Sequence, residues 1–319
     1  MTAMNSLRKE LPVARISRAM RIPRSSIYYS KSLNTGRRKP RVSDAVRSEV
    51  LRIAGERTTY GYRRIWALMR NHGTGVNVKT VRRIMRENGL ALPHAKHRNM
   101  NGRRNLTKPD APDRLWETDI HYISTRKDGM AYLMSIKDCF SKAWISYELS
   151  RSCTARDCMK AVEMAYAKRF TSTGPAGLVL RTDNGPQYVA REFREPVKIM
   201  AIGHEYIRKH TPEENGDIES FHSSLKTDYI WVNDIETFED AGNLMEYAFT
   251  DYNTVRPHSS IGYLPPEEFE RRWNASQEFR EEFLEKRKAK HERDMRRREE
   301  KKRRLNENVS LEDELSVQN

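Results

Sequence analysis

Through the first ninety residues, apolar positions recur every three or four residues, the period of a helix with one buried face. Within LPVARISRAMRIPRSSIYY (11–29), Val13, Ile16 and Met20 keep that spacing, Pro12 suits a first turn, and Pro23 breaks the pattern. A short second helix from Arg24-Ser25-Ser26 is expected to follow. Two short helices about a tight turn form the helix-turn-helix pattern, whose second helix would present Arg24 and Ser25 to DNA; a plain helical hairpin reads the same way. Residues 31–43 are polar and basic, with Gly and Pro, and read as a linker. Three further helices are expected between Asp44 and Leu90. Val46, Val50 and Ile53 line the first, and Ile65, Leu68 and Met69 line the second, which Gly73 ends. Val78, Val81, Ile84 and Met85 line the third, ended by Gly89. On that third helix Lys79, Arg82, Arg83 and Arg86 face outward, either as a solvated face or as one that meets DNA.

From Asp113 the period changes to alternation. LWETDIHYI sets Trp116, Thr118, Ile120 and Tyr122 against Glu117, Asp119 and His121, as a strand does. Lys127-Asp128-Gly129 reads as a hairpin turn, and AYLMSIKDCF and KAWISYELS as two more strands. TARDCMKAVEMAYAKRF is an amphipathic helix with Ala161, Met164, Ala165 and Lys168 in regular spacing and Thr154 as its N-cap. The strand GLVLRTD, a helix near 191–201, the strand HEYIRK and a helix from about Ile218 to Trp231 complete the pattern. A three-stranded meander followed by alternating helix and strand describes a mixed sheet flanked by helices. The stretch 279–304, KRKAKHERDMRRREEKKRR at its heart, has few apolar anchors and reads as an exposed helix or a disordered basic arm.

Charge sharpens the picture. The 319 residues carry a net +15, unevenly distributed. Residues 1–104 hold 25 Lys and Arg against 5 Asp and Glu, whereas residues 105–284 hold 22 against 30. A basic front suits a polyanion such as DNA, and an acidic middle repels one unless divalent cations intervene. No run of about 18 apolar residues exists to span a membrane, and no apolar secretory signal opens the chain. Three cysteines are too few for a disulfide framework, so a reducing cytoplasm is expected. Cys153 and Cys158 fall on a helical pattern and read as packing residues. His94-x-x-His97 has no cysteine upstream of Cys139 to join it, so no structural zinc is expected.

Three carboxylates occupy informative positions: Asp119 mid-strand, Asp183 at the end of an apolar strand before Asn184-Gly185-Pro186, and Glu219 in the first turn of a helix. Singly, each also fits an ordinary surface, turn-capping or helix-dipole role. Together, in the one acidic segment of a basic chain, they fit a site for hard cations.

WETDIHYI, RTDNGPQY and ENGDIESFHSSLK resemble the catalytic core of insertion-sequence transposases and retroviral integrases. YNTVRPHSSIGYLPPEEF resembles the segment that closes this core in bacterial members. TTYGYRRIWALMRNHGTGVNVKTVRRIMRENGL is similar to the helix-turn-helix that precedes it in insertion-sequence family three. The resemblance covers about residues 11–270. Its last two acids characteristically lie 35 residues apart, and 35 residues separate Asp183 from Glu219.

The resemblance implies an RNase H-like fold with a mixed five-stranded sheet and an Asp119, Asp183, Glu219 triad. It implies two Mg²⁺ ions, with Mn²⁺ as substitute, held by those acids. The activity implied is DNA cleavage at the element's terminal inverted repeats and strand transfer into target DNA. It further implies Lys226, two turns beyond Glu219, as a DNA contact, a plain surface lysine being the alternative; Asn184 and Arg256 are also expected to meet DNA. Self-association into a synaptic dimer or larger assembly, a nucleoid-associated location and an upstream-frame partner protein are also expected, the chain resembling the downstream frame's product. The expected organisation is a helix-turn-helix-like segment (1–36), a helical DNA-binding domain with basic linker (37–104), the catalytic core (105–275) and a charged tail (276–319). An inactive DNA-binding regulator and a plain nuclease of the same fold are the alternatives.

Overall fold

The computed structural model describes residues 12–20, 42–92, 107–170, 174–208 and 215–317. Contacts divide the chain into two units, residues 1–51 and 52–319. In the first unit the described residues form helix α1 (Val13–Met20) and the opening turns of α2 (Asp44–Glu56). The expected second helix from Arg24, and most of the linker, lie outside the described residues.

The second unit opens with the end of α2, then α3 (Tyr62–Asn71) and α4 (Val78–Glu87). Ile65, Leu68 and Met69 of α3 and Val81, Ile84 and Met85 of α4 are buried, as their spacing predicts. Asn77 caps α4, its side chain accepting the Lys79 N–H at 2.8 Å. Gly73 follows the end of α3 at a φ of 84°, a left-handed conformation that glycine adopts without steric cost.

The sheet comprises β1 (Leu115–Thr125), β2 (Gly129–Asp138), β3 (Trp144–Ser150), β4 (Val179–Thr182) and β5 (Gly203–Tyr206), in spatial order β3-β2-β1-β4-β5. β1, β2 and β3 form the expected antiparallel meander. β4 runs parallel to β1, pairing Leu115 with Val179 and Glu117 with Arg181, and β5 runs parallel to β4. Both faces are covered, which is why Leu115, Trp116, Glu117 and Thr118 are all buried where strict alternation expects one exposed face.

On one face, α5 (Ala155–Arg169) and α6 (Arg191–Ile199) pack Cys158, Val162 and Phe193 against Trp116, Met134 and Leu180. The N-cap of α5 is Thr154, in a reciprocal capping box with Asp157. Met164, counted by spacing among its apolar positions, is exposed; the buried stripe is Cys158, Ala161, Val162 and Ala165. On the other face, α7 (Gly216–Leu225), a π-helical turn at Lys226–Ile230 and α8 (Phe238–Thr254) pack against Ile123, Leu133 and Trp144.

Two departures from expectation stand out. Helices α8 and α9 (Pro266–Ala275) are not expected from the pattern, because the buried stripe of α8 alternates small and large residues, Ala241, Met245, Ala248 and Tyr252. The charged tail is α10 (Gln277–Val317), and its start is anchored: Phe279 and Phe283 pack on Phe140, Phe269 and Trp273. Two aromatic side chains one turn apart supply the apolar face that the charged run beyond lacks. Among the described residues, no helix is long and apolar enough to cross a membrane.

Candidate active site

The register of β1 against β4 sets the first two acids together. The parallel pairs Trp116–Leu180 and Glu117–Arg181, carried two residues further, bring Asp119 level with Asp183. β4 ends at Thr182, so Asp183 lies just beyond a strand's carboxyl end, where open sheets of this kind gather ligand-binding groups. Both carboxylates are half-buried. Burial pushes the Asp183 carboxyl up, the Gly185 N–H pulls it down, and the charge of Asp119 raises it.

Local chemistry orients each acid. Asp183 Oδ1 accepts the Gly185 N–H at 2.8 Å, closing a tight turn. A Cβ on Gly185 would stand 2.9 Å from that same oxygen, so only glycine leaves the carboxylate its position. Asp119 Oδ2 lies 3.4 Å from His222 Nδ1 on α7, and the His222 ring lies 5.0 Å from that of His121. Burial, with His222 and Lys226 adding to it, holds His121 down at about 4, so its ring is neutral near pH 7. Periodicity does not single out this histidine pair, although His121 lies two residues from Asp119 on the same strand face.

Glu219 is exposed in the first turn of α7, whose Ile218, Phe221 and Leu225 are buried as expected. Among the described residues, the His, Cys, Asp and Glu donor atoms that lie within 4.8 Å of one another belong to a different set, Glu117, Cys139 and Asp217. Its acids are already neutralised. Glu117 accepts from Arg181 Nη1 at 2.9 Å and from the Ile218 N–H at 2.7 Å, and Asp217 accepts from Lys142 at 2.7 Å. The Cys139 thiol is fully buried and pushed well up by that burial. Asp119 and Asp183, half-buried near the carboxyl end of β4, offer hard carboxylate oxygens of the kind a divalent cation takes.

Of the expected DNA contacts, Lys79, Arg82 and Arg86 are exposed on α4, Arg82 lying 5.5 Å over the Tyr62 ring. Arg83 is half-buried, 3.9 Å from Glu87. Lys226 is half-buried where α7 meets the π turn, and the Asn184 amide donates to the Ile207 carbonyl at 2.6 Å, which ties down its turn. Arg256, also expected to meet DNA, is buried and paired with Asp228 at 2.9 Å. A guanidinium enclosed in that way is a packing and pairing group before it is a surface contact. Arg24 and Ser25 lie outside the described residues.

That pair is part of a second feature. Asp228 also accepts from Thr59 at 2.8 Å and Arg64 at 3.3 Å, and so joins the segment before α3 to the π turn. Between them opens a cleft of about 660 Å³, lined by Tyr62, Arg64, Lys137, Lys142, Ser224 and Arg256 among others.

Comparison with known proteins gives three family matches: the integrase core domain over residues 109–212, an integrase core domain again over residues 200–266, and the HTH-like domain over residues 42–98. Transposase InsD of insertion element IS2 from Escherichia coli is 29% identical over 278 residues, covering 81% of this chain and 90% of that protein. An uncharacterized 31.7 kDa protein of insertion element IS407 from Burkholderia multivorans is 27% identical over 271 residues, covering 83% of this chain and 94% of that protein. Among solved structures, the HTLV-2 integrase catalytic core domain in complex with magnesium aligns over 50% of this chain and 96% of its own, at 19% identity and a TM-score of 0.39.

Proposed function

From the premise that this chain belongs to the insertion-sequence transposases of the DDE type, with an RNase H-like core behind an HTH-like domain, we propose that Asp119, Asp183 and Glu219 are its catalytic carboxylates. The protein is a DNA transposase, a polynucleotidyl transferase that binds DNA. The observation that carries the assignment is the register of β1 against β4, which sets Asp119 beside the turn that holds Asp183; Glu219 lies in the first turn of α7, the helix whose His222 reaches Asp119.

The three acids would hold divalent metal, two Mg²⁺ ions with Mn²⁺ as substitute. When bound, such ions activate the attacking oxygen and stabilise charge on the phosphorus and the leaving oxygen. The chain's own residues position the parts. Gly185 fixes one oxygen of Asp183 through its N–H. His222, beside Asp119, limits the rotamers of that carboxylate. The neutral His121 ring adds no positive charge to compete for the acids. In the reaction proposed, water first frees a 3′-hydroxyl at the element's end, and that hydroxyl then attacks a target phosphodiester, displacing its 3′-oxygen.

Along the chain, residues 37–104 would grip DNA through α4, residues 105–275 would carry out the chemistry, and residues 276–319 would form a charged extension. Two protomers would pair two element ends before transfer. The test is a strand-transfer assay with the full chain, Mg²⁺ and duplexes bearing the element's ends. Joined products in a second duplex support the reading. Nicking without joining would make the protein a nuclease, and end binding with neither reaction would make it a regulator.

A further inference from the structure

The cleft beside α7 carries more positive charge than its own acids neutralise. Arg64, Arg256, Lys137 and Lys142 line it, together with one carboxylate, Asp217. Asp228 pairs with Arg64 and Arg256 together, and Asp217 pairs with Lys142. The Lys137 ammonium reaches only the backbone carbonyl of Asp217, at 2.9 Å, and lies 5.9 Å over the Phe221 ring. Glu117, which also faces Lys137, is held by Arg181. Crowded cations leave their mark on their neighbours. Arg64 is lowered by burial and then by Arg256; burial and these four cations hold His258 well below its ordinary value.

A second observation points the same way. Arg256 Nη2 is buried without a hydrogen-bond partner among the described residues, although the same guanidinium uses Nε on Asp228 and sets Nη1 3.3 Å from His258. A buried donor on a charged group left without an acceptor is costly, and an incoming acceptor would relieve that cost. Hydroxyls of Ser220 and Ser224 on α7, and of Ser259 and Ser260 opposite, complete a donor-rich wall. The volume lies within the range of about 300–1,000 Å³ typical of ligand sites.

We propose that this cleft is a phosphate-binding site that holds a phosphodiester of the DNA strand running past Glu219. At 100° per residue, Ser220 and Ser224 occupy the face of α7 next to the one that carries Glu219 and Ser223. A strand whose scissile bond sits at the carboxylates therefore reaches the cleft by turning one face around the same helix. Guanidinium groups and hydroxyls suit a phosphate oxygen, and the Tyr62 side of the cleft belongs to the HTH-like segment. The cleft would thus couple the element's end to the catalytic core. This inference rests on the DNA transposase reading.

The test uses the full chain with inorganic pyrophosphate as probe and duplex element ends as partner. Ser224→Glu places a carboxylate among the cations, where it pairs with them in place of phosphate. Ser260→Glu, on an exposed turn, keeps the test decisive if the first variant does not fold. Pyrophosphate should raise the melting temperature of the wild type and of neither variant, and DNA affinity should fall about tenfold with a shallower salt slope. Equal protection of all three proteins, no protection at all, or unchanged DNA affinity in both variants would overturn it. Loss of strand transfer in the wild type with the pyrophosphate response intact would instead count against the transposase reading and leave the anion site standing.

Discussion

Asp119 on β1 and Asp183 just beyond the end of β4 each lie two residues past the Glu117–Arg181 pair of these adjacent parallel strands. On the proposed assignment their carboxylates share a charge load that neither carries alone. Replacing either by Asn, or Glu219 by Gln, should lower cleavage and strand transfer by at least about a hundredfold. Binding to the element's ends should stay within about twofold, because the basic helices lie elsewhere in the chain. A single variant that keeps wild-type strand transfer in Mg²⁺ shows that position to be wrongly assigned.

Metal binding should be visible without catalysis. Mg²⁺ at ten times its dissociation constant stabilises a site by about 1.4 kcal/mol through mass action. Thermal unfolding of the full chain, with and without the ion, reads this directly. The shift should disappear in an Asp119→Asn/Asp183→Asn protein, and chelator should stop cleavage.

Gly185 offers a test of orientation rather than charge. Its φ of −61° suits any residue, so Gly185→Ala meets no backbone strain, yet the new methyl would stand 2.9 Å from Asp183 Oδ1. The carboxylate must turn away. Strand transfer should fall by about tenfold or more while the melting temperature changes little, since misplacement of a reacting group costs rate far more than fold. Full activity would mean that the Asp183 rotamer does not matter.

Asp228 is the shared acceptor for Thr59, Arg64 and Arg256. Asp228→Asn leaves the buried Arg256 guanidinium, and the half-buried Arg64 beside it, without this counter-charge, and removal of one partner of a buried pair costs about 3–5 kcal/mol. Urea unfolding should register a loss of that size. A loss below about 1 kcal/mol would show that solvent already screens the pair.

His204 sets an acid limit. Burial, helped by Arg194, holds it at about 4, against about 6.5 for an unfolded chain. The folded state therefore binds this proton less readily than the unfolded state. Its share of stability is full above pH 6.5 and is lost as pH falls from 6.5 toward 4. His204→Phe keeps the ring packing beside Phe193 and Tyr206 and removes the titration. The urea midpoint of the variant should fall less steeply over that window than the wild type's; equal slopes would assign the acid sensitivity to other groups.

Much of this molecule is legible in one dimension. Alternation in LWETDIHYI and helical spacing in Val78, Val81, Ile84 and Met85 locate elements because burial imposes periods of 2 and 3.6 on side chains. Thr154 and Gly73 mark boundaries, since a cap and a left-handed stop are local chemistry. The three acids could be singled out because their neighbours, the Asn-Gly turn and the helix start, are local too. Their level placement could not, because strand register depends on residues sixty positions apart. For the same reason the burial of Arg256 was invisible: its partner Asp228 lies 28 residues away and Arg64 far upstream. A basic residue in sequence is simply a charge. Only packing decides whether that charge faces DNA, neutralises an aspartate, or, as Arg256 does, is buried with one donor unpaired among the described residues.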